Sequence, residues 1–454
     1  MAVITKSIGV ATGRDYSSIS SWESAQQGNL VSLQEIHKGE CYADSSYFDE
    51  SVTISGSTTS SDYYMYLTVA EGNRHDGTKS GGGVVIDRQG GAYSYGVYAP
   101  DSYTFLEYLR VTGLNGGNSV VCIGIMDGGG EGHSGVVIKD CIVHDISTNC
   151  NTSTGFWGIV STCNNAKIIN CQVFNMSRTS AESSWTVGLG CTISTSKTIN
   201  CSAFNITDTN GSAVGIHGGR GNGAVINCIS LGASGGYSTD FNVTYPFSSD
   251  DCKKNISSDH TAPSTARCNT VLTTDVSGNT GYTVKDADGY FITKSVQEGD
   301  VFINITDKKT SVIASVDSET QLTLNDSDVA GNSKSYRVNA DGKYFKTTAN
   351  NYISTTYGSE NLLLLDSSDA VDYGVGHGTD SNVPTDDIID NTRPDSACDV
   401  GCYQNMASGT CPEQWIDEWN RYNILARSSE SICIKVDSNT NGSNTFKIIS
   451  GSDS

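Results

Sequence analysis

Four lines of this chain repeat at a nearly fixed step. Asp140-Cys141-Ile142-Val143-His144-Asp145-Ile146 is followed by Asn170-Cys171-Gln172-Val173-Phe174-Asn175-Met176. Asn200-Cys201-Ser202-Ala203-Phe204-Asn205-Ile206 and Asn227-Cys228-Ile229-Ser230-Leu231-Gly232-Ala233 complete the set. The cysteine steps are 30, 30 and 27 residues (171−141, 201−171, 228−201). A second series, Gly124-Ile125, Gly158-Ile159, Gly188-Leu189 and Gly215-Ile216, interleaves with it at steps of 34, 30 and 27. A shared period of this size means one supersecondary unit per repeat. Short apolar alternations broken by Gly, Ser, Asn and Asp make those units strands and turns. The implied fold is all-β: a right-handed parallel β-helix in which equivalent positions of successive coils stack ~4.8 Å apart.

In such a stack Cys141, Cys171, Cys201 and Cys228 form an inward ladder. Val143, Val173, Ala203 and Ser230, two residues on, share its face. Asp140, Asn170, Asn200 and Asn227 mark the bend before each strand, where stacked amides hydrogen-bond along the axis. One coil cannot bury its own apolar face, so the stack is the folding unit.

Five segments follow along the chain. Residues 1–50 read as an N-terminal cap, with Ile19 and Trp22 on one face of a short helix whose N-cap is Asp15 or Ser17. Residues 51–270 are the β-helix. Residues 271–340 carry short strands at hairpin spacing, a small β module inserted into the solenoid or leaning on it. Residues 341–403 are expected to be the final coils. Residues 404–454 form a closing or attachment segment in which Pro412–Ala426 is amphipathic through Trp415, Trp419, Tyr422 and Ile424. Tyr93, Tyr95, Tyr98, Tyr103 and Tyr108 crowd the early coils, as coil filling, a subunit interface or a sugar-stacking surface.

The formal charge is −22, from 50 acidic and 28 basic residues, which disfavours nucleic acid and anionic membranes as partners. No apolar run spans a membrane, and the start, Met1–Val10, lacks the continuous apolar segment of a secretory signal. The fifteen cysteines are an odd count for which a disulfide framework is not the default, and the four of the ladder are expected to be reduced and buried. Cys398, Cys402 and Cys411 lack the histidine pair of a zinc site, and no cofactor motif is present. Asp286-Ala287-Asp288-Gly289 lacks the later ligands of a calcium loop. Gly218–Gly223 is a turn without the lysine of a phosphate loop. A glycan-cleaving enzyme needs paired carboxylates, for which Glu131, Asp140, Asp145, Asp240 and Asp251 are the candidates. A lyase would add cationic help from Arg110, Lys139, Lys167 or Lys197.

Ile8-Gly9-x3-Gly13-Arg14-Asp15-Tyr16-Ser17-Ser18-Ile19-x2-Trp22-Glu23, with Gly39-Glu40-Cys41-Tyr42-x-Asp44 and Val52-Thr53-Ile54-Ser55-Gly56, resembles the opening of right-handed parallel β-helix proteins of tailed bacteriophages. Asp386–Pro394 with Asp399-Val400-Gly401-Cys402-Tyr403 resembles the last coil of β-helix repeat proteins, with Cys402 in place of the usual alanine. Residues 271–340, through Gly299-Asp300-Val301-x-Ile303-Asn304 and Leu322-Thr323-Leu324, are similar to a small domain of marine phage particle proteins. The resemblance implies a non-enzymatic structural protein of the virion, on a tail fibre, tailspike or head surface. Such a protein is made in the host cytoplasm. It assembles with itself, as a trimer, and with other virion proteins, and binds host glycan. The alternatives are a tailspike depolymerase and a bacterial surface adhesin.

Overall fold

The computed structural model describes residues 2–405 apart from 88–94, 116–122, 151–154, 181–184, 194, 219–222, 237, 243–251, 259–261, 263–271, 305, 308, 340–342, 345–351, 358–359, 366–367 and 369. Tyr93, Asp251 and the helix expected over Pro412–Ala426 lie outside the described residues.

The chain is a parallel β-solenoid of about 7 turns. Each regular coil contributes one strand to each of three sheets. In one coil these are Val137–Lys139, Ile142–Thr148 and Phe156–Ser161; in the next they are Lys167–Ile169, Gln172–Arg178 and Trp185–Cys191. The first sheet has eight strands, from Ala2–Ile8 to Ala224–Ile226. The second runs from Val85–Asp87 to Lys343–Tyr344, and the third from Val52–Thr53 to Thr239–Asn242. The register follows the repeat: Ile142 pairs with Gln172, Gln172 with Ser202, and Ser202 with Ile229.

The bends depend on polar residues that accept left-handed backbone. Asp140, Asn170, Asn200 and Asn227 have φ of 52°, 50°, 50° and 52°. Short polar side chains tolerate this region best among residues other than glycine. Asn170 donates to the Asp140 carboxylate at 3.0 Å, the axial bonding expected of this ladder. A second left-handed ladder five residues on escaped the sequence reading. Asp145, Asn175 and Asn205 have φ of 51°, 54° and 53°, and Gly232 ends the row at 77°. Asn205 donates to Asn175 at 2.8 Å and Asn175 to Asp145 at 3.1 Å.

The core is a continuous file of side chains. Cys141, Cys171, Cys201 and Cys228 are wholly buried in it, with Val143, Val173 and Ala203 beside them. The Cys171 amide donates to Cys201 Sγ and the Cys201 amide to Cys228 Sγ, each at 3.4 Å. Each ladder thiol donates within its own coil as well, as Cys201 does to the Ile199 carbonyl at 3.2 Å. The eleven cysteines among the described residues are buried and free.

The solenoid starts earlier than residue 51. Ala2–Ile8 and Glu35–Cys41 already pair in the first sheet, and the cap is the excursion between them. Its helix, Ile19–Gln26, is capped by Ser18 rather than Asp15 or Ser17, because Ser18 and Ser21 bond reciprocally in a capping box. Asp15 is engaged elsewhere, accepting from the Ser7 amide at 2.8 Å. Trp22 is fully buried in the core beneath this helix.

The antiparallel module sits between two consecutive rungs of the second sheet. Ile256–Ser257 pairs in parallel with Lys343–Tyr344, and the six-stranded half-barrel of residues 272–339 is threaded between them. Phe291, Phe302, Leu322, Leu324 and Tyr336 give it a core of its own.

Lys343–Tyr344 is the only part of 341–403 that continues a parallel sheet among the described residues. The rest of the expected final coils is a strap folded back along the solenoid. Tyr352–Ser354 pairs antiparallel with Asn361–Leu364, and Gly374–Val375 with Ala397–Cys398. The cause lies in the outer face of the second sheet. Ile142, Phe174, Phe204, Ile229, Leu231 and Ile256 point away from the coil interior and need a cover. Tyr352, Leu362, Leu364, Ile388, Val400 and Tyr403 supply it.

One buried histidine gives this assembly a pH signature. His75 Nε2–H donates to the Asp140 carbonyl at 2.8 Å, and Nδ1 accepts from the Gly77 amide at 3.3 Å. Only the neutral ring makes both bonds, and burial pushes its pKa down from 6.5 to about 4. The unfolded chain takes up this proton as pH falls through 6.5, the folded chain only near 4. This contribution to stability is therefore full above pH 6.5 and is lost between 6.5 and 4, by roughly 3 kcal/mol. Denaturant titrations should show wild type losing about 3 kcal/mol more than His75→Asn between pH 6.5 and 4.

Candidate binding face

The strap packs on the second and first sheets. On the third, Tyr95, Tyr98, Trp157 and Trp185 keep exposed surface, while Ile123, Val160, Val187, Val214 and His217 between them are buried. The glycines of this sheet explain which side chains point outward. The Gly96, Gly124, Gly158, Gly188 and Gly215 series lies mid-strand. A Cβ on Gly124 would meet Val143 Cγ1 at 2.6 Å and the Gly158 carbonyl at 2.5 Å. One on Gly158 would meet Val173 Cγ1 at 2.6 Å and the Gly188 carbonyl at 2.4 Å. These positions therefore face the interior, as do the residues that follow them. Val97, Ile125, Ile159, Leu189 and Ile216 all join the core. Two consecutive inward positions shift the alternation, so the outward residues flank them on both sides.

Two outward columns result. The register aligns Tyr95, Ile123, Trp157, Val187, Val214 and Thr239 in one. It aligns Tyr98, Met126, Val160, Gly190, His217 and Asn242 in the other. Neither column contains Asp, Glu, Lys or Arg, on a chain of net charge −22. Tyr95 and Tyr98 stack at 4.7 Å between centroids. The Trp157 ring stands edge-on to His217 at 5.6 Å, and Trp185 approaches the same imidazole at 6.1 Å. His217 is held by its Nδ1 against the Cys191 carbonyl at 3.2 Å. Trp185 is 42% exposed, and Tyr95, Tyr98 and Trp157 are half-buried.

The tyrosines grouped by sequence separate in the fold. Tyr95 and Tyr98 lie on this face. Tyr103 sits in the turn before the first sheet, with φ of 57°. Tyr108 is removed from any open surface: it is 3% exposed at a first-to-second-sheet bend, and its hydroxyl donates to Asp390 of the strap. The sequence reading missed Trp157, Trp185 and His217. Their signal is positional, since they precede or close the same glycine-centred strands.

Three of the four described candidate carboxylates, Asp140, Asp145 and Asp240, are engaged in structural bonds. Asp140 is fully buried beside Lys139, whose ammonium lies 2.9 Å from it, 3.3 Å from Glu107 and 3.2 Å from Asp386 of the strap. Burial pushes the Asp140 carboxyl up, while the surrounding carboxylates push the Lys139 ammonium up. Burial alone would raise Asp145, but hydrogen bonds from His144 at 2.9 Å and Lys79 at 2.8 Å bring it down to about 2. His144 lies on the outer face of its coil, yet it is covered there and stacks on Phe174 at 5.1 Å. Asp240 is buried and accepts from the Ala233 and Ser258 amides at 3.1 and 2.6 Å. Glu131 alone of the described candidates is exposed. Of the candidate cations, Lys197 donates to Asn382 at 2.6 Å and Arg110 to the Lys79 carbonyl at 3.0 Å, while Lys167 is exposed. Asp286, from the discounted calcium loop, accepts instead from the Tyr336 hydroxyl at 2.6 Å. Among the described residues no three His, Cys, Asp or Glu converge as a metal site, and no helix is long and apolar enough to cross a membrane.

Comparison with protein families, with characterised proteins and with solved structures returns no match to this chain.

Proposed function

We propose that this protein is a non-enzymatic structural component of a bacteriophage particle, displayed on tail or head, and that its third-sheet face binds neutral host glycan. The uncharged aromatic strip of Tyr95, Tyr98, Trp157 and Trp185 carries the reading. Aromatic faces stack on the apolar faces of sugar rings, and a rigid sheet holds them in place without an ordering cost on binding. A strip lacking cations, on an acidic chain, selects against acidic polysaccharides. The sequence resemblance supports the particle setting, made in the host cytoplasm and joined to other particle proteins. The non-enzymatic part rests on the engagement of Asp140, Asp145 and Asp240 in structural hydrogen bonds.

The test is titration of the protein with neutral oligosaccharides cut from host surface polysaccharide. Trp157→Ala with Trp185→Ala should weaken binding by about 30-fold, the loss of about 2 kcal/mol usual for an aromatic anchor, with the fold unchanged. Binding untouched by the double variant removes the face from consideration. New reducing ends that disappear on Glu131→Gln would overturn the non-enzymatic reading.

A further inference from the structure

The first sheet ends on Ala2–Ile8, whose inner edge pairs residue for residue with Glu35–Cys41. In a parallel strand each residue turns its N–H and C=O to one side, and successive residues alternate. Ala2 N–H donates to the Gln34 carbonyl at 3.5 Å and Tyr42 N–H to the Ile8 carbonyl at 2.9 Å, so even-numbered residues bond inward. Ser7 bonds outward. Its N–H donates to Asp15 at 2.8 Å, and its carbonyl accepts from Tyr16 N–H at 3.0 Å. Val3 and Thr5 therefore hold both backbone groups toward the outer edge, where no strand lies among the described residues.

Edges of this kind are ordinarily blunted by charge, proline, a bulge or a covering element. Here Ala2–Ile8 pairs without a bulge, contains no proline, and its one charge, Lys6, is matched by Asp15 at 3.3 Å. Val3 is 54% exposed, and Leu33, next to the Gln34 that bonds Ala2, is 55% exposed. The charge distribution singles out the same end. Residues 1–14 hold Lys6 and Arg14 but no acid, and residues 24–34 hold no charge at all. Arg14 is itself paired with Asp44 at 2.7 Å. Asp15, the carboxylate bonded to this edge at Ser7, is paired with Lys6, so on a chain of net charge −22 two copies meet here with little like-charge repulsion.

We propose that the outer edge of Ala2–Ile8 pairs with the same strand of a second copy of this chain, antiparallel across a two-fold axis at Ile4. Val3 of each copy faces Thr5 of the other, and each such pair exchanges both of its backbone hydrogen bonds. The register follows from Ser7. A two-fold axis at Thr5 would set Val3 against Ser7, whose outward groups are already used. The contact satisfies the Val3 and Thr5 backbone groups of both copies, covers the exposed Val3 side chains, and joins the first sheets of two solenoids end to end.

Sedimentation equilibrium of the full chain tests this. The expected mass is about 96 kDa, twice the 48.1 kDa of one chain. Thr5→Pro removes an edge N–H that takes no part in the inner ladder, and Val3→Glu sets a carboxylate beside the axis. Each should raise the dimer dissociation constant at least tenfold with the circular dichroism spectrum and melting temperature unchanged. In wild type, hydrogen exchange at the Val3 and Thr5 amides should slow as protein concentration rises. A wild-type monomer at high micromolar concentration, a dimer or trimer indifferent to both variants, or Val3 and Thr5 amides that exchange freely in the associated protein would each overturn the proposal.

Discussion

Gly158→Ala is expected to destabilise the solenoid by about 3 kcal/mol or more, a cost at the upper end of what an added methyl causes in a packed core. The new Cβ would lie 2.4 Å from the Gly188 carbonyl, 2.6 Å from Val173 Cγ1 and 2.9 Å from Met176 Sδ. The first of these is backbone of the next coil, fixed by the third-sheet pairing on either side, so no rotamer change relieves the clash. The glycine is required for space and not for backbone freedom, since Gly158 lies outside the positive-φ region that Asp140 and Asn170 occupy. Valine at the same site should prevent folding. Gly132→Ala is the control, because a Cβ there meets nothing within 4 Å. Thermal melts of the two alanine variants should separate by several degrees, the Gly132 variant matching wild type. Equal melts would mean that the coils are spaced more loosely than these contacts require.

That prediction also shows what was legible in the chain beforehand. The Gly-Ile series was visible as a repeat, and with the cysteine series it gave the period, the parallel stack and the inward ladder. These are local properties: a fixed step sets register, and alternation sets facing. The strap was not legible for the opposite reason. Asn361-Leu362-Leu363-Leu364 reads as a coil strand, but the face it covers is made by Ile142, Phe174 and Phe204, some 160 to 220 residues earlier. A face apolar on both sides of the second sheet was written in His144, Phe174 and Phe204, and it signals a cover without saying which segment provides it. The binding face was half legible. Tyr95 and Tyr98 were found by their density, whereas Trp157 and Trp185 are single residues in separate repeats, brought together only by the register. Tyr108 misled because its neighbours in sequence lie on another sheet, while its hydrogen-bond partner, Asp390, is 282 residues away.

Cys201→Asp is expected to prevent folding at physiological temperature. Cys201 is wholly buried, with Cys171 and Cys228 in the coils on either side. Its Sγ accepts one amide hydrogen bond, from Cys171, and donates to the Ile199 carbonyl at 3.2 Å. An aspartate there would have one amide donor within reach and would set its second oxygen against a carbonyl. A buried carboxylate without a cation costs about 3–5 kcal/mol even after protonation relieves part of it, a large share of the stability of most domains. The graded controls make the cause readable. Cys201→Ser keeps a donor for Ile199 and an acceptor for Cys171 and should cost about 1 kcal/mol; Cys201→Ala loses both bonds and should cost about 2 kcal/mol. If all three variants melt together, the ladder is a volume filler and the charge argument fails. Thiol chemistry supplies the independent check. Burial pushes the Cys141 and Cys201 thiols up and Cys191 to about 12, and the thiolate is the reactive form. All four ladder thiols are wholly buried, so native protein should leave them unlabelled by an alkylating reagent, and denatured protein should expose them without any reductant. Ladder thiols that need reductant before they label would show coil-to-coil disulfides in place of the thiol ladder.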